Sequence, residues 1–145
     1  MSVTPAQLHG SWRLVRAART TDNQVTDEQP LGVDPQGRLH YLHDGGMVVV
    51  IAHGGRRPLS GGRYTSPDDE TAAAARTFDA YAGTFACAGD RVVHRVQLSS
   101  YENDRGAEYV RTVRFCGDLL TLGTPAQRTP TGVVVTWLLW ARAAK

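Results

Sequence analysis

Short apolar segments of alternating pattern recur along the chain, separated by Gly-Asp, Asp-Gly and Gly-Gly turns. Leu39-His40-Tyr41-Leu42 and Met47-Val48-Val49-Val50-Ile51-Ala52 flank His43-Asp44-Gly45-Gly46, a strong hairpin signal. Further strands are predicted at Ser11–Ala18, Tyr81–Cys87, Arg91–Ser100, Glu108–Cys116, Leu119–Leu122 and Val133–Ala141. The polar stretch 19–36 reads as a long loop, and Gly54-Gly55 and Gly61-Gly62 bound a mobile one. Ser66-Pro67-Asp68-Asp69-Glu70 opens the one convincing helix, its acids favoured by the dipole, and the alanines carry it to about Phe78. Thr4-Pro5 predicts a single capped turn that plugs one end. Strands in this order and spacing predict an all-β chain: one up-and-down antiparallel barrel of about eight strands, spanning residues 1–145 as a single domain.

The two ends of the chain add a closure. Gly10-Ser11-Trp12-Arg13-Leu14 and Leu139-Trp140-Ala141-Arg142 suit first and last strands that pair, with an indole filling the floor and a guanidinium packed across it. Trp12, Trp140 and Arg142 are therefore read as structural. Trp137 alternates away from Trp140, so one of the two should lie outside or under a loop. With Gly37-Arg38-Leu39-His40-Tyr41, Tyr81-Ala82-Gly83-Thr84-Phe85, Asp90-Arg91-Val92-Val93-His94, Arg111 and Gly117-Asp118-Leu119-Leu120-Thr121-Leu122, this framing resembles the lipocalin-like domain proteins of bacteria and fungi. The resemblance covers most of the chain and implies a lipocalin-like barrel. It does not imply one function, since relatives include barrels of specialised metabolism. Gly45-Gly46 departs from it, one glycine being enough at that turn.

Composition narrows the partners. A formal charge of +2, with Arg56-Arg57 the longest basic run, gives no phosphate-tracking stripe, so neither nucleic acid nor membrane is expected. Lys145 is the sole lysine, which argues against Schiff-base chemistry. No Gly-x-Gly-x-x-Gly follows a strand, no nucleophile elbow is present, and His40-x-x-His43 straddles a turn, so no cofactor and no metal are expected. With neither a leader pattern nor a long apolar run, a cytoplasmic monomer or homodimer is expected.

Strand alternation then selects candidates. Taking Ala88-Gly89-Asp90 as a turn places Cys87 opposite Arg91; taking 101–106 as loop places Ser100 opposite Ala107 and Arg91 opposite Cys116. The more apolar face carries Ala82, Thr84, Ala86, Val92, His94, Val96, Leu98, Tyr109, Arg111, Val113 and Phe115, and is assigned to the interior. His94 and Arg111 become diagonal neighbours inside the barrel. The two cysteines, two strand spacings or about 10 Å apart, are expected to be free thiols.

An inward arginine needs an anionic or polar partner. No carboxylate falls on this face, which leaves a ligand, water or a loop acid. His94 suits proton transfer near neutral pH, or is satisfied by a neighbour. Tyr41, Tyr81 and Tyr109 either orient a carbonyl or line the wall, and Arg16 shares a face with Trp12 and Leu14. The expected occupant is a small, mostly apolar or amphiphilic metabolite. His94 and Arg111 would be catalytic groups of a cofactor-free cyclase or isomerase of polyketide-like substrates, with Tyr109, Tyr41, Arg16, Val96, Leu98 and Phe115 binding the ligand. The alternative is a non-catalytic carrier or sequestering protein; a third reading, a solidly packed barrel binding other proteins through its loops, predicts no cavity.

Overall fold

Eight antiparallel strands form a hydrogen-bonded circuit that closes into a barrel, each pairing with the next of them in chain order and the last with the first. The strands are β1 (Gly10–Thr21), β3 (Gln36–Tyr41), β4 (Gly46–Ala52), β5 (Phe78–Ala88), β6 (Arg91–Ser99), β7 (Glu108–Cys116), β8 (Leu119–Gly123) and β10 (Gly132–Arg142). Two short strands, β2 (Gln24–Asp27) and β9 (Gln127–Thr129), extend β1 and β10 at the margins, β2 within the stretch whose polarity predicts loop. The computed structural model describes residues 2–143; Lys145, the sole lysine, lies outside them. The predicted helix is present as α2 (Asp68–Arg76), and no helix of the described residues is long and apolar enough to cross a membrane.

The floor is built as the chain ends predict. Helix α1 (Pro5–Leu8) inserts Leu8, fully buried, beneath Trp12, whose indole N–H donates to the Leu8 carbonyl at 2.9 Å. Arg142 lies over the Trp12 ring at 4.1 Å and donates to the carbonyls of His9 at 2.8 Å and Gln7 at 3.0 Å. Val3 N–H bonds the Gly89 carbonyl at 2.7 Å, so the β5–β6 turn sits beside this closed end. The beginning of β5 and the end of β6 therefore lie at the opposite, open end. Trp140 is buried and Trp137 lies outside: its indole covers the Cα of Gly123, where a Cβ would collide, and the Arg114 guanidinium stacks on it at 4.6 Å.

In the β3–β4 hairpin, Leu39, Tyr41, Met47, Val49 and Ile51 point inward, and Val92, Val113, Leu120 and Leu122 join them. Within the eight-strand circuit two β-bulges break the alternation elsewhere. On β1 the register shifts between Leu14 and Arg16, so Leu14 and Ala17 are both buried and Arg16, of the same parity as Trp12, is exposed. On the β5–β6 pair the shift falls between Ala82 and Gly83: Gly83 meets Val96, Ala82 meets Leu98, and Gln97 is the extra residue. Leu98 is thereby turned outward and stands 65% exposed. Glycine is required at 83, because a Cβ there would collide with the Arg95 carbonyl oxygen.

On β5 the inward face also corrects the apolar-face assignment. Tyr81, Phe85 and Cys87 pack towards the core, not Ala82, Thr84 and Ala86. The β6–β7 register differs by four residues from the sequence expectation, with His94 opposite Tyr109 and Val92 opposite Arg111. An even slip preserves faces, so His94, Tyr109 and Arg111 remain inward. The same registers put Cys87 opposite Val92 and Cys116 opposite Leu119, rather than on one level, and both are free thiols.

Candidate functional site

The upper half of the barrel holds a cavity of about 250 Å³. Its apolar wall comes from Leu39, Val49, Ile51, Leu122, Leu138 and Trp140. One side is polar: His94 on β6, Tyr81 on β5, and Tyr109 and Arg111 on β7. At the open end Leu31 of the 28–35 loop, Asp79 at the start of β5, and Asp104 in the 3-10 turn Glu102–Asp104 complete the lining.

His94 is the centre of the polar side and is 1% exposed. Its Nε2 meets the Tyr41 hydroxyl at 2.6 Å and its Nδ1 meets the Tyr81 hydroxyl at 2.7 Å. Burial, reinforced by the Arg111 charge, lowers its pKa from 6.5 to about 3, so the ring is neutral at physiological pH. Tyr41 is fully enclosed, edge-on to Phe85, and burial raises its pKa well above the usual value. Burial also raises Tyr81, to about 12, with Arg111 opposing the shift. Tyr109 is raised further, by desolvation and then by Asp104. All three phenols therefore keep their protons near neutrality and act as neutral hydrogen-bonding groups.

Arg111 stacks over the Tyr109 ring at 4.9 Å and donates from Nη1 to the Val110 carbonyl at 3.3 Å. Among the described residues no carboxylate lies within 4.0 Å of its guanidinium. Trp140, on the opposite wall, has its indole N–H buried with no acceptor among them. The cavity thus offers several donors, and its acids sit at the rim.

Of the residues picked from the sequence, the fold gathers His94, Arg111 and Tyr109 in one cavity and sets Tyr41 directly behind His94. Val96 is buried but does not line the cavity. Phe115 sits near the floor, its ring 6.5 Å from that of Trp12, because β7 runs down towards the closed end. Arg16 and Leu98 are outside for the two bulges given above. Tyr81, put on the outer face when Ala88-Gly89-Asp90 is taken as the turn, lines the cavity beside His94, because Ala88 itself pairs with Arg91. Asp104 was hidden in an aperiodic loop; its sequence signal was only an acid between strands carrying His94 and Arg111.

The lipocalin-like domain model matches residues 9–143. The chain belongs to the lipocalin-like domain family. Within this lipocalin-like protein, a segment is 38% identical over 80 residues to the 4'-hydroxy-3'-methoxypropiophenone carrier protein ppsC of Aspergillus oryzae, covering 50% of this chain and 68% of that protein.

Proposed function

We propose that this lipocalin-like protein is a carrier that encloses one small aromatic or otherwise largely apolar molecule bearing a polar oxygen. The observation that supports this reading most is the cavity of about 250 Å³, apolar on one side, with Tyr81, Tyr109 and Arg111 converging on the other. Its volume lies just below the roughly 300–1,000 Å³ of drug-sized sites, which suits a single-ring compound. The similarity to a carrier named for a single-ring aromatic ketone supports the same size and chemistry.

The cyclase or isomerase reading is the second one. It is favoured by the Tyr81 hydroxyl and the Arg111 guanidinium lying together on the cavity wall, where they would polarise a carbonyl. His94 gives it no general base: both ring nitrogens are engaged and the ring resists protonation down to about pH 3. The carrier reading needs no proton transfer and is preferred.

Incubating the protein with a small-molecule extract of a host strain lacking its gene, then applying mass spectrometry to solution and protein, tests the pair. One compound retained unchanged per barrel is the expected result. A compound converted in many-fold excess over protein would establish the enzyme reading instead. A barrel that retains and converts nothing would remove both.

A further inference from the structure

The hydrogen bonds around His94 are not symmetrical in their surroundings, and that asymmetry fixes their direction. A neutral imidazole donates from one nitrogen and accepts at the other. Tyr41 is enclosed, and among the described residues its hydroxyl has one hydrogen-bonding partner, His94 Nε2. If Nε2 carried the proton, the Tyr41 O–H would be left buried with no acceptor. Tyr81, in contrast, lines the cavity, and its hydroxyl can spend its proton there.

Resting on the interior binding site proposed above, we infer that Tyr41, His94 and Tyr81 form a relay of one direction that presents the Tyr81 O–H, beside the Arg111 guanidinium, to a hydrogen-bond-accepting ligand oxygen, preferentially an anionic phenolate or enolate. Tyr41 donates to Nε2, Nδ1–H donates to the Tyr81 oxygen, and the Tyr81 proton faces inward. Accepting from Nδ1 also makes Tyr81 a stronger donor, since hydrogen bonds in a chain polarise one another. Tyr41 and His94 are positioning residues in this scheme, and Tyr81 and Arg111 are the groups that touch ligand.

The charges facing the site agree with the anionic preference. Arg111 is the cation of the polar wall and has no carboxylate within 4.0 Å among the described residues. Asp104 is turned to Tyr109, raising its pKa, and its charge also reaches Tyr81, where Arg111 outweighs it; Asp79 lies at the rim, 3.4 Å from His53 Nε2. Tyr109 and Cys87, the remaining titratable groups near the relay, are both held in their neutral forms by desolvation.

Two measurements test the relay and its ligand preference. In ligand-free, ¹⁵N-labelled protein, long-range ¹H–¹⁵N correlation spectra report the His94 tautomer. The expected result is Nδ1 protonated and Nε2 bare, by roughly tenfold or more. An Nε2–H tautomer would overturn the relay while leaving the binding site standing. The second uses 4-nitrophenol, whose phenol and phenolate absorb differently. Its pKa should fall by about one unit or more on binding, and Tyr81→Phe should weaken binding roughly tenfold and reverse much of that shift. Binding preferentially as the neutral phenol would overturn the anionic preference. A barrel that takes up no small molecule from the extract would remove the binding reading and this preference with it, whatever the tautomer.

Discussion

The neutral His94 makes the barrel sensitive to acid in a window that can be calculated. Its pKa is 6.5 in an unfolded chain and about 3 in the folded one, because burial and Arg111 both penalise the cation. The unfolded state therefore binds the proton first as pH falls. Stability from this residue is complete above about pH 6.5 and declines by about 1.4 kcal/mol per pH unit until about pH 3. Between pH 7 and pH 5 the loss is about 2 kcal/mol, a large fraction of the roughly 5–15 kcal/mol that holds such a domain together. Glutamine at this position cannot titrate, so His94→Gln removes the slope whatever it does to absolute stability. Urea unfolding followed by tryptophan fluorescence, in steps from pH 7 to 5, gives both curves. Wild type minus variant should shrink by about 2 kcal/mol over that range, other titrations cancelling in the difference. A difference that stays constant within about 0.5 kcal/mol would refute the claim that a buried neutral imidazole sits at the centre of the site.

Other perturbations probe the parts that position the site. Gly83→Ala drives a methyl into the Arg95 carbonyl, and should cost about 3 kcal/mol or more in chemical denaturation, or abolish soluble expression. Arg142→Met removes two hydrogen bonds to the α1 region and the stack on Trp12, and should lower stability by about 2 kcal/mol in the same assay, with ligand affinity retained. Arg16→Ala and Leu98→Ser alter residues outside the cavity, so calorimetric ligand titration should give affinities within about twofold of wild type, with stability changed by no more than about 0.5 kcal/mol.

Strand positions and the pairing of the chain ends were legible because each hairpin carries its own turn chemistry. His43-Asp44-Gly45-Gly46 and Gly117-Asp118 form the β3–β4 and β7–β8 turns, and Trp12 with Arg142 announces the floor. Alternation was a sound guide between bulges and failed across them. Val15 and Gln97 are the extra residues at these two bulges, and nothing in their side chains marks them, so unbroken alternation predicts Arg16 and Leu98 inward. The only local trace was Gly83, whose missing Cβ makes room for the bulged Arg95 carbonyl. On β5 the error was one residue at the turn: Ala88 pairs with Arg91 across Gly89-Asp90, which exchanges Ala82, Thr84 and Ala86 for Tyr81, Gly83 and Phe85 on the inner face. His94 and Arg111 survived a four-residue register error because faces repeat every two residues. Asp104 belongs to tertiary folding of the 100–107 loop over the open end, which no periodicity encodes.

The site proposed for a small molecule lies inside the barrel, against Tyr81 and Arg111. Leu31, on a loop over the cavity, can be enlarged to fill the entrance without touching the strand ladder. The compound recovered from the extract should be titrated calorimetrically into wild type and Leu31→Trp, with circular dichroism confirming that both are folded. Wild type should bind one molecule per chain, and the filled variant should bind it at least about tenfold more weakly. Equal affinity in the two proteins would place the ligand elsewhere and contradict the interior site.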